Sequence, residues 1–197
     1  CYGPGGAIDM WNSRWFSINL TELDAPWAFV KGAPARTISA LELLASTLGL
    51  VLLSPPRLVQ GTLGTVAVTG MTDSLVSSSV VTRGMSTKFP LCVVAMELAA
   101  QLEARGAELV LDWIPREVNS EADRLADGDT RGFNPQLRVH ADIRQFKWLV
   151  LNRLMKAGLA FHHASGRHLK RKDLAGVRWR ATRDAKRKKA LKEREPW

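Results

Sequence analysis

"WIPREVNSEADRLAD", residues 113–127, decides how the rest of the chain is read. An apolar, strand-like end at Trp113-Ile114 meets Pro115, and a short helical stretch follows over residues 119–127. Asn119 and Asp123 are four apart, so a helix places both on one face. A carboxamide and a carboxylate stacked at a helix start have two readings. One is local capping, since Ser120 and Asp123 have capping-box spacing. The other is a metal site completed by residues distant in sequence.

Upstream, the pattern alternates between strand and helix. Residues 107–114 read as a strand, with Leu109, Leu111 and Trp113 on one face. Residues 89–105 carry the helical stripe Leu91, Val94, Ala95, Leu98, Ala99 and Leu102, and Arg105-Gly106 ends it. Residues 74–83 form a shorter helix closed by Gly84. The β-branched run Thr65-Val66-Ala67-Val68-Thr69 predicts a strand reaching Thr72, with Asp73 at its carboxyl end. Thr37 is placed to cap a helix running to about Leu53, where Ser54-Pro55-Pro56 stops it. Its stripe is read as Ile38, Leu41, Ala45, Leu48 and Leu52, which sets Glu42 at the edge of the buried side.

Residues 5–21 read as a hairpin. Gly5-Gly6-Ala7-Ile8 forms one arm, and Phe16, Ile18 and Leu20 alternate with Trp15, Ser17 and Asn19 on the other. Trp11, Trp15 and Trp27 read as packing residues near it rather than as a base-stacking platform. A last apolar helix is expected over 141–157. The sum is an α/β domain with a mixed sheet flanked by helices.

Composition bounds the function classes. The 197 residues are 46% apolar, enough for one sizeable core, and no apolar run is long enough to span a membrane. Cys1 and Cys92 make neither a disulfide framework nor a CxxC pair, which predicts a reduced, intracellular setting. The net charge of +9 sits entirely in residues 165–197, with 13 Lys and Arg against 4 Asp and Glu. The rest balances at 15 of each. A neutral domain therefore carries a basic tail with too few apolar residues to bury a core. The clusters Lys170-Arg171-Lys172 and Lys186-Arg187-Lys188-Lys189, with Arg183 beside the second, suit a polyanion or a nuclear import signal. His162, His163 and His168 lie among lysines and arginines without cysteine, a poor zinc set.

Taken singly, each acid has a structural explanation. Glu42 is a boundary glutamate, Asp73 a helix cap and Asp123 part of a capping box. Taken together, they come from a helix, a strand end and a late helix start. Ligands gather at the carboxyl ends of strands in open α/β sheets, and clustered carboxylates without Cys or His suit Mg²⁺ or Mn²⁺.

The segments "ISALELLA" (38–45), "VTGMTDS" (68–74) and "LVLDWIPREVNSEADRLADG" (109–128) resemble the ribonuclease H domain of reverse transcriptases. The closest likeness is to retroelement polyproteins of the DIRS-like kind and to reverse-transcriptase-like genes of dinoflagellates. It covers about residues 3–128. The resemblance implies a ribonuclease H-like sheet and hydrolysis of the RNA strand of RNA–DNA hybrids. It implies two Mg²⁺ ions on Glu42, Asp73 and Asp123, with Mn²⁺ a substitute and Asn119 positioning helix or substrate. An attached upstream polymerase domain is also implied.

The family's first Asp lies on a first strand that here is expected to precede Cys1. Asp9 stands too late to replace it, so the chain is expected to be an incomplete fragment or to have lost that carboxylate. The rival expectation is a catalytically degenerate domain of the same fold that binds nucleic acid through its tail. An integrase fits less well, because its acidic set usually ends in Glu. The expected divisions are a ribonuclease H-like domain over 1–130, a helical extension over 131–160 and a basic tail over 161–197.

The tail carries its own prediction. If about half its cations meet phosphates, the slope of log affinity against log salt on duplex DNA is about −5 to −6. Deleting residues 165–197 should flatten it. A binding titration of both chains at several salt concentrations checks this, and equal slopes would place the contact elsewhere.

Overall fold

In the computed structural model, residues 9, 11–29, 34–54 and 65–161 are described, without the side chains of 34–36. They form a mixed α/β unit with five helices and a two-stranded parallel sheet. The order is α1 (Pro34–Leu53), β1 (Val66–Thr72), α2 (Leu75–Arg83), α3 (Leu91–Arg105), β2 (Ala107–Trp113), α4 (Ser120–Ala126) and a helix over 151–161, here α5. The chain divides into two units at Met155/Lys156, and of the second only the end of α5, 156–161, is described. The basic tail and the Gly5–Ile8 arm lie outside the described residues.

β1 and β2 pair in parallel from Val66↔Ala107 to Thr72↔Trp113, so their carboxyl ends coincide. Such a pair needs a long crossover, supplied here by α2 and α3. Leu109 and Leu111 are buried while Glu108, Val110 and Asp112 are exposed, so one face of the sheet is covered and the other open. Gly70 sits in β1 because a Cβ there would stand 3.2 Å from Leu111 Cδ1 on the neighbouring strand. Gly106 turns α3 directly into β2. It has φ +60°, its N–H returns to the carbonyls of Glu103 and Leu102, and its own carbonyl accepts from Val66 N.

α1 lies against α3, and α2 and α3 lie against β2. The core between them holds Ala40, Leu43, Leu44, Leu48, Val94 and Leu98. α1 is rotated from the face read in the sequence. Ile38 is 53% exposed and Ala45 is exposed, while Thr37, Ala40, Leu44 and Thr47 are buried. The helix also begins three residues before Thr37, which is therefore inside it and not its cap.

The expected strand over residues 15–21 does not form. Trp15 makes a single parallel bridge to Arg138, and the rest of 11–29 is irregular apart from a 3-10 turn at Pro26–Ala28. Tertiary contacts hold this segment. Trp15 exchanges backbone bonds with Leu137 O and Val139 N, and its indole donates to Asn134 O at 2.8 Å. Trp15 and Trp27 are both buried, as packing residues should be, whereas Trp11 is exposed. Ser17 Oγ donates to Leu125 O, and Arg144 Nε to Asp24 Oδ1 at 2.6 Å. Bonds from Thr21 and Arg144 hold the Asp24 carboxyl down to about 2.

The helix expected over 141–157 begins only at 151. Asp142 folds the preceding residues into a turn by accepting from Arg144 N and Gln145 Nε2. The start of α5 is fixed from elsewhere. Glu97, fully buried on α3, accepts from the backbone N–H groups of Leu149, Val150 and Leu151 at 2.7–3.0 Å, and from Gln101 Nε2 at 2.6 Å. Arg105 Nη1 donates to Gln101 Oε1 at 2.6 Å. Glu97, Gln101 and Arg105 thus form a buried polar column at four-residue spacing. Burial lowers the Arg105 pKa, and its Nε has no partner among the described residues.

Replacing Glu97 by Ala leaves three backbone donors and Gln101 without their acceptor in a closed space. Urea denaturation should show a loss of about 2–4 kcal/mol. Loss below about 0.5 kcal/mol, the range of an ordinary surface change, would show that water replaces the carboxylate freely.

Candidate functional site

The carboxyl ends of β1 and β2 meet where Asp73 follows Thr72 and Ile114 follows Trp113. Three contacts close this end. Ile114 N donates to Thr72 O at 2.9 Å, the Trp113 indole to Asp73 O at 3.0 Å, and Asn119 Nδ2 to Asp73 Oδ1 at 3.1 Å. The last bond spans 46 residues and draws the start of α4 onto the end of β1.

Neither aspartate does the capping work that its sequence position suggested. α2 is capped by Ser74, whose Oγ accepts from Ser77 N at 3.2 Å, and Ser74 N is itself held by Thr72 Oγ1. Asp73 is left with its side chain directed to Asn119. At α4 the capping box does not form. Ser120 Oγ donates to Glu121 Oε2, and Asn119, at the cap position, makes no side-chain cap bond. Asp123 N bonds to Asn119 O at 3.2 Å, one helical turn back, while its carboxylate accepts from Arg116 Nε at 3.2 Å. Asp73, Asn119 and Asp123 are therefore linked by one side-chain bond and one turn of helix.

Glu42 is placed differently. With about 100° per residue, it falls roughly 160° around α1 from Ala40, near the centre of the buried face. It shares the outer side with Ile38, Ala45 and Gly49, and Phe16 lies over that side 3.8 Å from where a Cβ on Gly49 would stand. Among the described residues no three His, Cys, Asp or Glu side chains group closely enough to hold a metal ion. Asp73 and Asp123 are hard oxygen donors of the kind Mg²⁺ takes. Each has one oxygen committed to a protein donor, Asp73 Oδ1 to Asn119 and Asp123 Oδ2 to Arg116.

Two residues of this end were not picked out from sequence. Trp113 has the pattern of one face of a strand, yet it is half-exposed and its indole fixes the Asp73 carbonyl. Arg116 lies seven residues before Asp123, and only the 3-10 turn Arg116–Val118 brings the two side chains together. The tail cations Lys170, Arg171, Lys172, Arg183, Lys186, Arg187, Lys188 and Lys189 lie outside the described residues.

No protein-family model, curated protein or solved structure matches this chain. The class that fold and site define is a mixed α/β domain in which the start of a late helix is bonded, through Asn119, to Asp73 at the carboxyl end of a parallel strand pair.

The two side-chain links here differ in strength. The Asn119–Asp73 bond is partly buried, so Asn119→Ala should cost about 1–2 kcal/mol in chemical denaturation. Arg116 and Asp123 are both open to solvent, so Arg116→Ala should cost at most about 0.5 kcal/mol. Equal losses for the two variants would contradict this ranking.

Proposed function

We propose that this chain is a ribonuclease H-like domain of a retroelement-type reverse transcriptase, acting on the RNA strand of RNA–DNA hybrids. The observation that carries the reading is the Asn119–Asp73 bond at the carboxyl end of β1. It joins two motifs separated by the whole α2–α3–β2 crossover, and it presents carboxylates freed from capping duty.

In this reading Asp73 and Asp123 would hold Mg²⁺, for which Mn²⁺ can substitute. Glu42, Asp73 and Asp123 do not form a three-carboxylate group among the described residues, so the set falls short of the three expected for two ions. When bound, the ions supply charge for the phosphodiester and lower the pKa of an attacking water. The protein's own contribution is positional. Asn119 fixes the Asp73 carboxylate through one oxygen and leaves the other open among the described residues. The Trp113 indole holds the Asp73 backbone. Arg116 offsets the Asp123 charge, and because that pair is exposed a cation or a phosphate can displace it at small cost. The tail would supply nonspecific affinity for the backbone of hybrid or duplex, and its clusters would serve nuclear import. An upstream polymerase domain completes the proposal.

The lack of a three-carboxylate group among the described residues favours a second reading, a domain of this fold that binds nucleic acid without cutting it. One assay separates the two. An end-labelled RNA–DNA hybrid is incubated with the chain in Mg²⁺ or Mn²⁺, and binding is measured in parallel. The first reading expects only weak cleavage, of the RNA strand alone, by this chain; restoring an upstream strand with its Asp should raise it, and Asp73→Asn should then reduce it about 10²-fold or more. Binding with no cleavage, equal in both proteins, selects the second reading. Neither binding nor cleavage overturns both.

A further inference from the structure

The first turn of α2 presents apolar side chains outward and a serine inward. Ser77 is fully buried, with its Oγ unpartnered among the described residues, while Leu75 is 64% exposed and Val76 43%. Both line an open groove of about 510 Å³ between α2 and the loop leading to α3. Met85, 67% exposed, stands on the loop side, and Val80 and Leu91 form the buried floor. A leucine, a valine and a methionine exposed around one depression make a contiguous apolar surface, unlike scattered surface residues.

The groove also has a charge. Its two ionisable residues are Arg83, in the last turn of α2, and Lys88 in the loop. Neither takes part in an ion pair among the described residues, and no Asp or Glu lines the groove. No aromatic ring lines it either, so it lacks the stacking surface that single-stranded nucleic acid uses. The branched and thioether side chains suit aliphatic groups, and methionine adapts to irregular partners.

We infer that this groove is a docking site for a protein partner, which presents an acidic amphipathic segment. The partner's aliphatic side chains cover Leu75, Val76 and Met85, and its carboxylates meet Arg83 and Lys88. Recognition of this kind takes an apolar helix face in a groove, with anchors at i, i+3, i+4 and i+7. The cations set specificity and encounter rate more than affinity. The inference is independent of the nuclease reading, since it uses no residue of the Asp73–Asn119–Asp123 end.

The test uses the full chain and three fluorescein-labelled probes. One is a short synthetic helical peptide with leucines at i, i+3, i+4 and i+7 flanked by glutamates. The second replaces its glutamates by lysines, and the third is a duplex oligonucleotide. Binding is read by fluorescence anisotropy, with the thermal midpoint of each variant as a folding control. The glutamate peptide should bind at least tenfold tighter than the lysine peptide. The double variant Arg83→Gln/Lys88→Gln should weaken it by about tenfold, matching the loss of about 1.4 kcal/mol. Met85→Ser should weaken it without changing the preference between peptides. Absence of binding, equal binding of both peptides, or binding unchanged in these variants overturns the inference. Duplex binding lost in the Arg83/Lys88 variant would give the groove to nucleic acid. Self-association abolished by Met85→Ser would give it to a second copy. Either result overturns the inference too.

Discussion

A carboxylate closed away from water has to be neutralised by donors, and Glu97 has four of them. Three are the backbone N–H groups of Leu149, Val150 and Leu151, the groups that a helix start leaves without partners. The fourth is Gln101, one turn along α3. The arrangement solves two problems together, since an isolated buried charge and an uncapped helix end are each costly. Because α3 also lies against α1 and β2, this one residue ties the start of α5 to the centre of the domain. Gln101 and Arg105 extend the tie along the same helix face.

The opposite end of β2 works by releasing side chains rather than by neutralising them. Ser74 caps α2 and Thr72 holds Ser74, so Asp73 is spared local work. Asn119 occupies a cap position yet reaches across to Asp73. At Asp73 a neighbouring small polar residue takes the local bond and leaves the carboxylate to a long-range one, whereas α4 has no side-chain cap and the Asn119 amide serves only the distant contact. Asp123 keeps its backbone in the helix while its carboxylate accepts from Arg116, seven residues back. A cluster built this way is sensitive to the β1–β2 register, because a one-residue slip would turn the neighbouring side chains to the other face.

Glu42 shows why an acid's place in a motif does not fix its direction. Between Ile38 and Leu48 the small residues Ala40 and Thr47 compete with the larger ones for the buried side. Packing α1 closely on α3 favours the face that contains them, and Glu42, half-buried, then falls on the side away from α3. The segment 11–29 lies on that outer side at Gly49, through Phe16, and Arg14 reaches the carbonyl of Leu52.

By itself the sequence determined the elements whose signals are local. β1 follows from a β-branched run, α2 and α3 from apolar periodicity ended by Gly84 and Gly106, and β2 from alternation before Pro115. All are observed within one or two residues of the boundaries read from sequence. Only the tertiary structure decided what depends on distant partners. Alternation over residues 15–20 looks like a strand, but among the described residues only the single bridge at Trp15 pairs with it, and a strand without a ladder does not persist. The start of α5 was invisible because its cap, Glu97, lies 52–54 residues away. The buried column of Glu97, Gln101 and Arg105 was invisible for a related reason. A polar residue is read as outward until its partners are known, and here those partners come from the loop at 147–151 and from the column itself.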